Sequence, residues 1–146
     1  MEKPLDKIMN DTTRDINRFL SHHMDKYSLG NGQFGILYEV SKEEGTSQET
    51  IAKRRNVGKS AVAKSIKRLI ENDYLYKKKD PIDKRAWRLY CTEKGKSMIP
   101  LIVNLLKLVK ELLTKGSTEE EIEIFRKVNE RMSKNIEEYF KNIEIS

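Results

Sequence analysis

Apolar residues recur every three or four positions through most of this chain, the spacing of one buried helical face. Leu5, Ile8, Thr12, Ile16, Phe19, Leu20, His23 and Tyr27 predict a first helix from Leu5 to about Tyr27. Leu29-Gly30-Asn31-Gly32 interrupts it. Asn31 is placed to cap a short helix from Gln33 to Glu43, with Phe34, Leu37, Tyr38 and Val40 on its apolar side. Gly45 ends that helix, and Ser47 caps a third from about Gln48 to Arg55. Ile51 and the small Ala52 face inward there, where another helix must cross closely. Asn56-Val57-Gly58 makes a turn, and a fourth helix runs from Lys59 to about Asn72 with Val62, Ile66, Leu69 and Ile70 inward. Two helices joined by so short a turn have the spacing of a helix-turn-helix.

The period then changes. Tyr74-Leu75-Tyr76 predicts a strand, Asp80-Pro81-Ile82-Asp83 a turn, and Ala86 to Tyr90 a returning strand. Thr92 caps a further helix whose run from Met98 to Leu113 is apolar on most sides and so is expected to be buried on most sides. Pro100 is placed to bend it and Gly116 stops it. Ser117 and Glu120 form an expected capping box for a last helix ending near Asn142. Along that helix Ile122, Phe125, Asn129, Met132, Ile136, Tyr139 and Ile143 alternate by three and four, a helix-pairing seam with one polar position. The predicted fold is mainly α (α+β): a winged helix-turn-helix at 31–96, and N- and C-terminal helices at 1–30 and 97–146 forming a dimerisation region.

Composition sharpens this. Hydrophobic residues make up 37% of the 146 and charged residues 36%, a charge content high enough that several helices are expected to bury their apolar faces only in an oligomer. The net charge of +6 is uneven. Thr46 to Lys96 carries 15 Lys/Arg against six Asp/Glu, a net of +9, while the remainder, with 14 bases and 17 acids, is −3. A local phosphate-binding surface requires that contrast, although a solvated lysine surface would also produce it. Cys91 is the single cysteine, so no intrachain disulfide forms, as suits a reducing cytosol. The N-terminal MEKPLDKIMND lacks the apolar core of a secretion signal, and the run from Met98 to Leu113 is too interrupted to span a membrane. A cytoplasmic protein without membrane contact is expected.

The helix from Lys59 carries the clearest candidate chemistry. Its outward side is Ser60, Ala61, Ala63, Lys64, Lys67 and Arg68. Small and hydroxyl residues let the backbone approach base edges, and the cations beside them suit phosphate and guanine. Arg54, Arg55 and Lys59 flank the turn and join the same expected DNA-facing set. On the hairpin, Lys77, Lys78, Lys79, Lys84 and Arg85 make a ribbon with a cationic tip that can reach a groove or its flanking phosphates. Lysines on exposed strands also serve simply to block edge pairing.

These residues resemble the DNA-binding core of the MarR (multiple antibiotic resistance regulator) family. Leu29-x-x-x-Gln33-Phe34-x-x-Leu37 is similar to the lead-in to its second helix, and Val57-x-Lys59-Ser60-x-Val62-x-Lys64-x-Ile66-x-x-Leu69 to its recognition helix. Asp83-Lys84-Arg85 is similar to its wing tip, and Thr92-x-Lys94-Gly95 to the helix start beyond the wing. Gly58, in place of a polar helix cap, and Cys91, in place of a common Leu, depart from the pattern. The resemblance implies a homodimeric winged-helix repressor of a pseudo-palindromic operator. In it Ser60, Ala61 and Lys64 face bases, Arg85 enters the minor groove, and Asp83 braces Arg85 through a salt bridge. It further implies a small aromatic carboxylate held between the dimer helices and the DNA-binding lobe, which would release the operator. Arg14, Arg18 and His22, spaced by four on the first helix, are the candidate ligand residues. Asp11 and Asp15 compete for the two arginines.

Other classes find less support. There is no Gly-rich phosphate loop, no Ser/His/Asp arrangement and no cluster of metal ligands, so neither enzymatic activity nor a cofactor is expected. His22 and His23 are adjacent, and adjacent helical side chains diverge by about 100°. The aromatic residues look scattered, without a paired stacking platform. Two readings stay open beside the regulator: an effector-independent, chromatin-like DNA-binding protein, and a module whose basic lobe meets an acidic protein.

Overall fold

Capping chemistry sets where the elements begin and end. Helix α1 spans Leu5–Met24 and passes into one 3₁₀ turn, Asp25–Tyr27. Helices α2 (Gln33–Lys42), α3 (Gln48–Arg55) and α4 (Lys59–Glu71) follow. Strands β1 (Leu75–Lys79) and β2 (Trp87–Cys91) form an antiparallel ribbon, and helices α5 (Glu93–Thr114) and α6 (Glu119–Ile145) complete the chain. The computed structural model describes residues 1–30 and 32–145. The expected cap Asn31 lies outside the described residues, and Gly32, at φ 82°, precedes α2. The strands run one residue later than the apolar pattern predicts, because Asp73 (φ 63°) and Tyr74 complete the turn out of α4 and Ala86 closes the tip by donating to the Asp83 carbonyl.

The chain forms two compact units, the first being Met1–Leu106 and the second beginning at Lys107. In the first, Leu29, Leu37, Val40, Ile51, Val62, Leu69, Leu75 and Ile102 are almost wholly buried. Ser47 Oγ accepts the Thr50 N–H at 3.1 Å to start α3. Asn56, left-handed at φ 52°, closes α3, and its neighbour Val57 donates back to the Ala52 carbonyl. This sharp turn lays α4 across α3, with Ile51 and Ala52 facing Val62, Ile66 and Leu69 in one core. Thr46 bridges to Leu89, which ties the start of α3 to β2 and anchors the ribbon on the helix pair. At the far end of β2, Thr92 Oγ1 accepts the Gly95 N–H at 3.0 Å to start α5. Gly95 there lies so close to β1 that a Cβ on it would fall 2.2 Å from the Tyr74 carbonyl oxygen.

Helix α5 departs from expectation. Gly95, Met98, Ile102 and Leu105 are buried at three- and four-residue spacing, but Leu101, Val103, Leu106, Leu108, Leu112 and Leu113 are exposed. Within the single chain one face of the helix is covered. In the second unit, α6 carries no buried residue among those described, and Phe125, Ile136, Tyr139 and Phe140 are each more than half exposed. Its capping box forms one residue later than predicted. Ser117 still donates to the Thr114 carbonyl in the turn closing α5, so Thr118 becomes the cap. Thr118 Oγ1 accepts the Glu121 N–H, and the Glu121 carboxylate accepts the Thr118 N–H. Those bonds hold the Glu121 carboxyl below its ordinary pKa.

Candidate nucleic-acid interface

Burying Val62, Ile66 and Leu69 turns the opposite side of α4 to solvent. Lys59, Ser60, Ala61, Lys64, Lys67 and Arg68 are exposed there, while Ala63 is half-covered at the edge of that face. From Lys59 to Ile70 the helix contains no acid, and among the described residues none of its cations is ion-paired. Gly58 provides no side-chain cap, so the first N–H groups of α4 stay open at its positive end.

Arg54 and Arg55 are exposed at the end of α3 and have partners on the α2 side. Arg54 ion-pairs with Glu43 just beyond α2. The Arg55 guanidinium rests over Gly35 of α2, where a Cβ would come within 2.8 Å of its nitrogen. Both arginines therefore brace α3 against α2.

In the ribbon, Asp80 organises the tip. Its Oδ1 accepts the Ile82 and Asp83 N–H groups at 2.8 and 3.1 Å, and its Oδ2 accepts Arg88 Nε at 2.7 Å. These bonds, the backbone ones foremost, hold the Asp80 carboxyl below its ordinary pKa. The salt bridge expected between Asp83 and Arg85 does not form. Asp83 Oδ1 accepts the Arg85 backbone N–H at 3.1 Å instead, and the ion pair of the tip is Asp80 with Arg88. A two-residue separation inside a tight turn brings a short carboxylate to the backbone before it reaches a guanidinium. Lys84 and Arg85 are thus exposed cations on a hydrogen-bonded tip, with Ile82 94% exposed beside them.

Strand pairing also brings the aromatic residues together. Tyr76 and Tyr90 pair across the ribbon and stack with ring centroids 5.4 Å apart. Lys78 lies 5.7 Å from both rings. On the other face, Lys77 and Lys79 sit 4.7 and 5.4 Å from the Trp87 ring. The partners are distant in sequence, so only the register shows the pairing.

On α1, Arg18 and His22 line an open depression of about 340 Å³ together with Phe19 and His23. Phe19 and His23, read from the sequence only as part of an apolar face, complete it with rings 4.7 Å apart. Arg14 is not part of it and instead pairs with Asp11 and Asp15 at 3.3 and 3.8 Å. Cys91 is buried, and burial followed by the nearby Glu44 carboxylate pushes its thiol up to about 11. Among the described residues no group of His, Cys, Asp or Glu is arranged to hold a metal ion, and no helix is long and apolar enough to cross a membrane.

A helix pair crossing at a sharp turn, with an acid-free cationic second helix and a two-stranded ribbon bridged to its base, is a winged helix-turn-helix. The family described as Transcriptional regulator SarA/Rot matches residues 18–102. An uncharacterized HTH-type transcriptional regulator from Bacillus subtilis, YybA, is 31% identical over 88% of this chain and 91% of its own. The solved transcriptional regulator SlyA is 29% identical, with a TM-score of 0.88 over 97% of this chain and 99% of its own. At the level of fold alone, a MarR family regulator from Listeria monocytogenes complexed with 26mer DNA is 24% identical, with a TM-score of 0.83 over 92% of this chain and 90% of its own. The chain belongs to the SarA/Rot family of transcriptional regulators, whose winged helix is of the MarR type. Its family and relatives are regulators rather than enzymes.

Proposed function

We propose that this protein is a cytoplasmic, homodimeric repressor that binds a pseudo-palindromic DNA duplex with one α4 helix in the major groove of each half-site. The observation that carries the reading is the exposed face of α4, cationic, free of acids and small at its N-terminal end. Ser60 and Ala61 let the helix backbone approach base edges, and Lys64 reaches guanine or phosphate. Lys59, Lys67 and Arg68 meet the backbone on either side, and Lys84 and Arg85 extend the contact from the ribbon tip. The Listeria relative solved with DNA supports the same use of this fold. The N-terminal helix and the last two helices form the dimerisation region. The support there is apolar exposure within each unit: Leu5, Ile8 and Met9 on α1, and Phe125, Ile136, Tyr139 and Phe140 on α6.

Release by a ligand is the finer part of the proposal. A small aromatic carboxylate fits the α1 depression, with Arg18 taking the carboxylate and Phe19 and His23 the ring. Such a ligand shifts operator binding only by preferring one spacing of the recognition helices over another.

Selection of bound sequences from random duplex tests the core of the reading. Paired half-sites about one helical turn, roughly 10 bp, apart are expected. Binding proportional to duplex length with no selected sequence points to the chromatin-like alternative. Affinity unchanged in Lys64→Ala and Arg85→Ala points to the protein-interaction module. For the ligand, salicylate titrated against wild type and Arg18→Ala is expected to bind the wild type more tightly; equal affinities remove Arg18 from the site.

A further inference from the structure

The ribbon holds an arrangement that DNA contact by α4 does not require. Leu75, Lys77 and Lys79 project to one face of β1, opposite Cys91, Leu89 and Trp87 of β2. Leu75, Leu89 and Cys91 are buried, and Trp87, 41% exposed, continues the same row outward beyond the core. Lys79 pairs directly with Trp87 and Lys77 lies on the diagonal, so both ammonium groups come to a single indole, at 5.4 and 4.7 Å from its centroid.

Two cations gathered on one ring repel each other, and among the described residues neither is ion-paired to a carboxylate. The nearest acid in sequence, Asp80, is committed to Arg88 and to two backbone N–H groups. The indole face attracts each ammonium by its quadrupole and limits the freedom of two long side chains. Holding them there lowers the entropy lost when they close on an anion, and an anion between them relieves their repulsion.

We propose that Trp87 is a positioning residue that gathers Lys77 and Lys79 into a two-pronged clamp for one stretch of DNA phosphates. The inference rests on the DNA-binding reading above and adds to it a role for a residue that touches no DNA itself. Lys77 and Lys79 act as a unit through the ring, so removing the ring costs what removing the lysines' preorganisation costs.

The test uses the full-length protein and a selected duplex, with affinity measured across a salt series for wild type, Trp87→Ala, Trp87→Phe, Lys77→Ala/Lys79→Ala and the triple variant. Each phosphate contact contributes about 0.9 to the slope of log affinity against log salt. In a dimer with one ribbon at each half-site the double lysine variant removes four lysines, so it is expected to lose about 3.6 from that slope. Trp87→Ala is expected to lower affinity several-fold and to reduce the slope in the same direction, while Trp87→Phe, which keeps a weaker aromatic face, retains most of both. Adding Trp87→Ala to the double lysine variant is expected to change nothing further. A purely structural Trp87 gives the opposite result: an unchanged slope, and a loss of affinity that adds in full to the lysine variant. Either of those outcomes overturns the clamp. Because Trp87 is the chain's one tryptophan, its emission also follows the ribbon alone. It should shift on duplex titration and return on raising the salt, and an emission indifferent to saturating duplex overturns the proposal as well. Wild type that binds no duplex at all removes the DNA-binding reading, which is a separate and visible failure.

Discussion

Gly95 stands where helix α5 docks on the ribbon, and replacing it tests how that junction is held. In Gly95→Ala the new Cβ falls 2.2 Å from the Tyr74 carbonyl oxygen, with Leu37 Cδ1 at 3.3 Å. The clash is with backbone rather than with the free end of a side chain, so strand and helix must separate by about 1 Å. That oxygen is also held in place, accepting the Thr92 N–H at 3.1 Å and the Thr92 hydroxyl at 3.2 Å. Overpacking of this kind costs about 1–3 kcal/mol. The better helix propensity of Ala returns about 1 kcal/mol. A backbone clash with no soft neighbour belongs at the upper end, leaving a net loss of about 2 kcal/mol. For a chain of this length each kcal/mol moves Tm by about 2–4 °C, so the midpoint should fall by about 4–8 °C. Thermal unfolding followed by circular dichroism, at one fixed protein concentration, measures it. Gly35→Ala is the control, also a glycine inside a helix, whose Cβ would first meet the Arg55 guanidinium, at 2.8 Å. A flexible side chain can move away, so Gly35→Ala should match or exceed wild type. Equal midpoints for the two variants would refute the argument from the Tyr74 carbonyl.

Three further outcomes can be checked directly. Burial raises the Cys91 thiol from 9.0 to about 11, so between those values the native state keeps a proton that the unfolded state releases, and stability should fall as pH rises from about 9 towards 11. The same protonation keeps Cys91 inert: iodoacetamide at neutral pH should label it only in denaturant, and rapid labelling of the native protein would contradict its burial. Thr118→Ala should cost about 1 kcal/mol in urea unfolding, Thr118→Ser much less, and Ser117→Ala almost nothing, an order that reverses if Ser117 is the cap.

Most of the fold could be read from one dimension, because helix periodicity and caps are local. The run Val62, Ile66, Leu69 determined which side of α4 meets the core and therefore which side is left exposed. Ser47 and Thr92 begin helices through bonds that span three residues. At Thr118 and at the strand starts the local reading slipped by one residue, since a turn on one side competes for the same backbone groups.

What the tertiary structure alone decided involves partners far apart in sequence. It turned Arg54 and Arg55 back onto α2, passed the bracing of the ribbon tip from Asp83 to Asp80, and left Arg14 outside the depression that Arg18 and His22 share with Phe19 and His23. It also set the register that stacks Tyr76 on Tyr90 and brings two lysines to Trp87. A charge count shows that the segment is basic. Where each cation is held depends on long-range packing, because a long side chain chooses among acids, rings and carbonyls that only folding brings within reach.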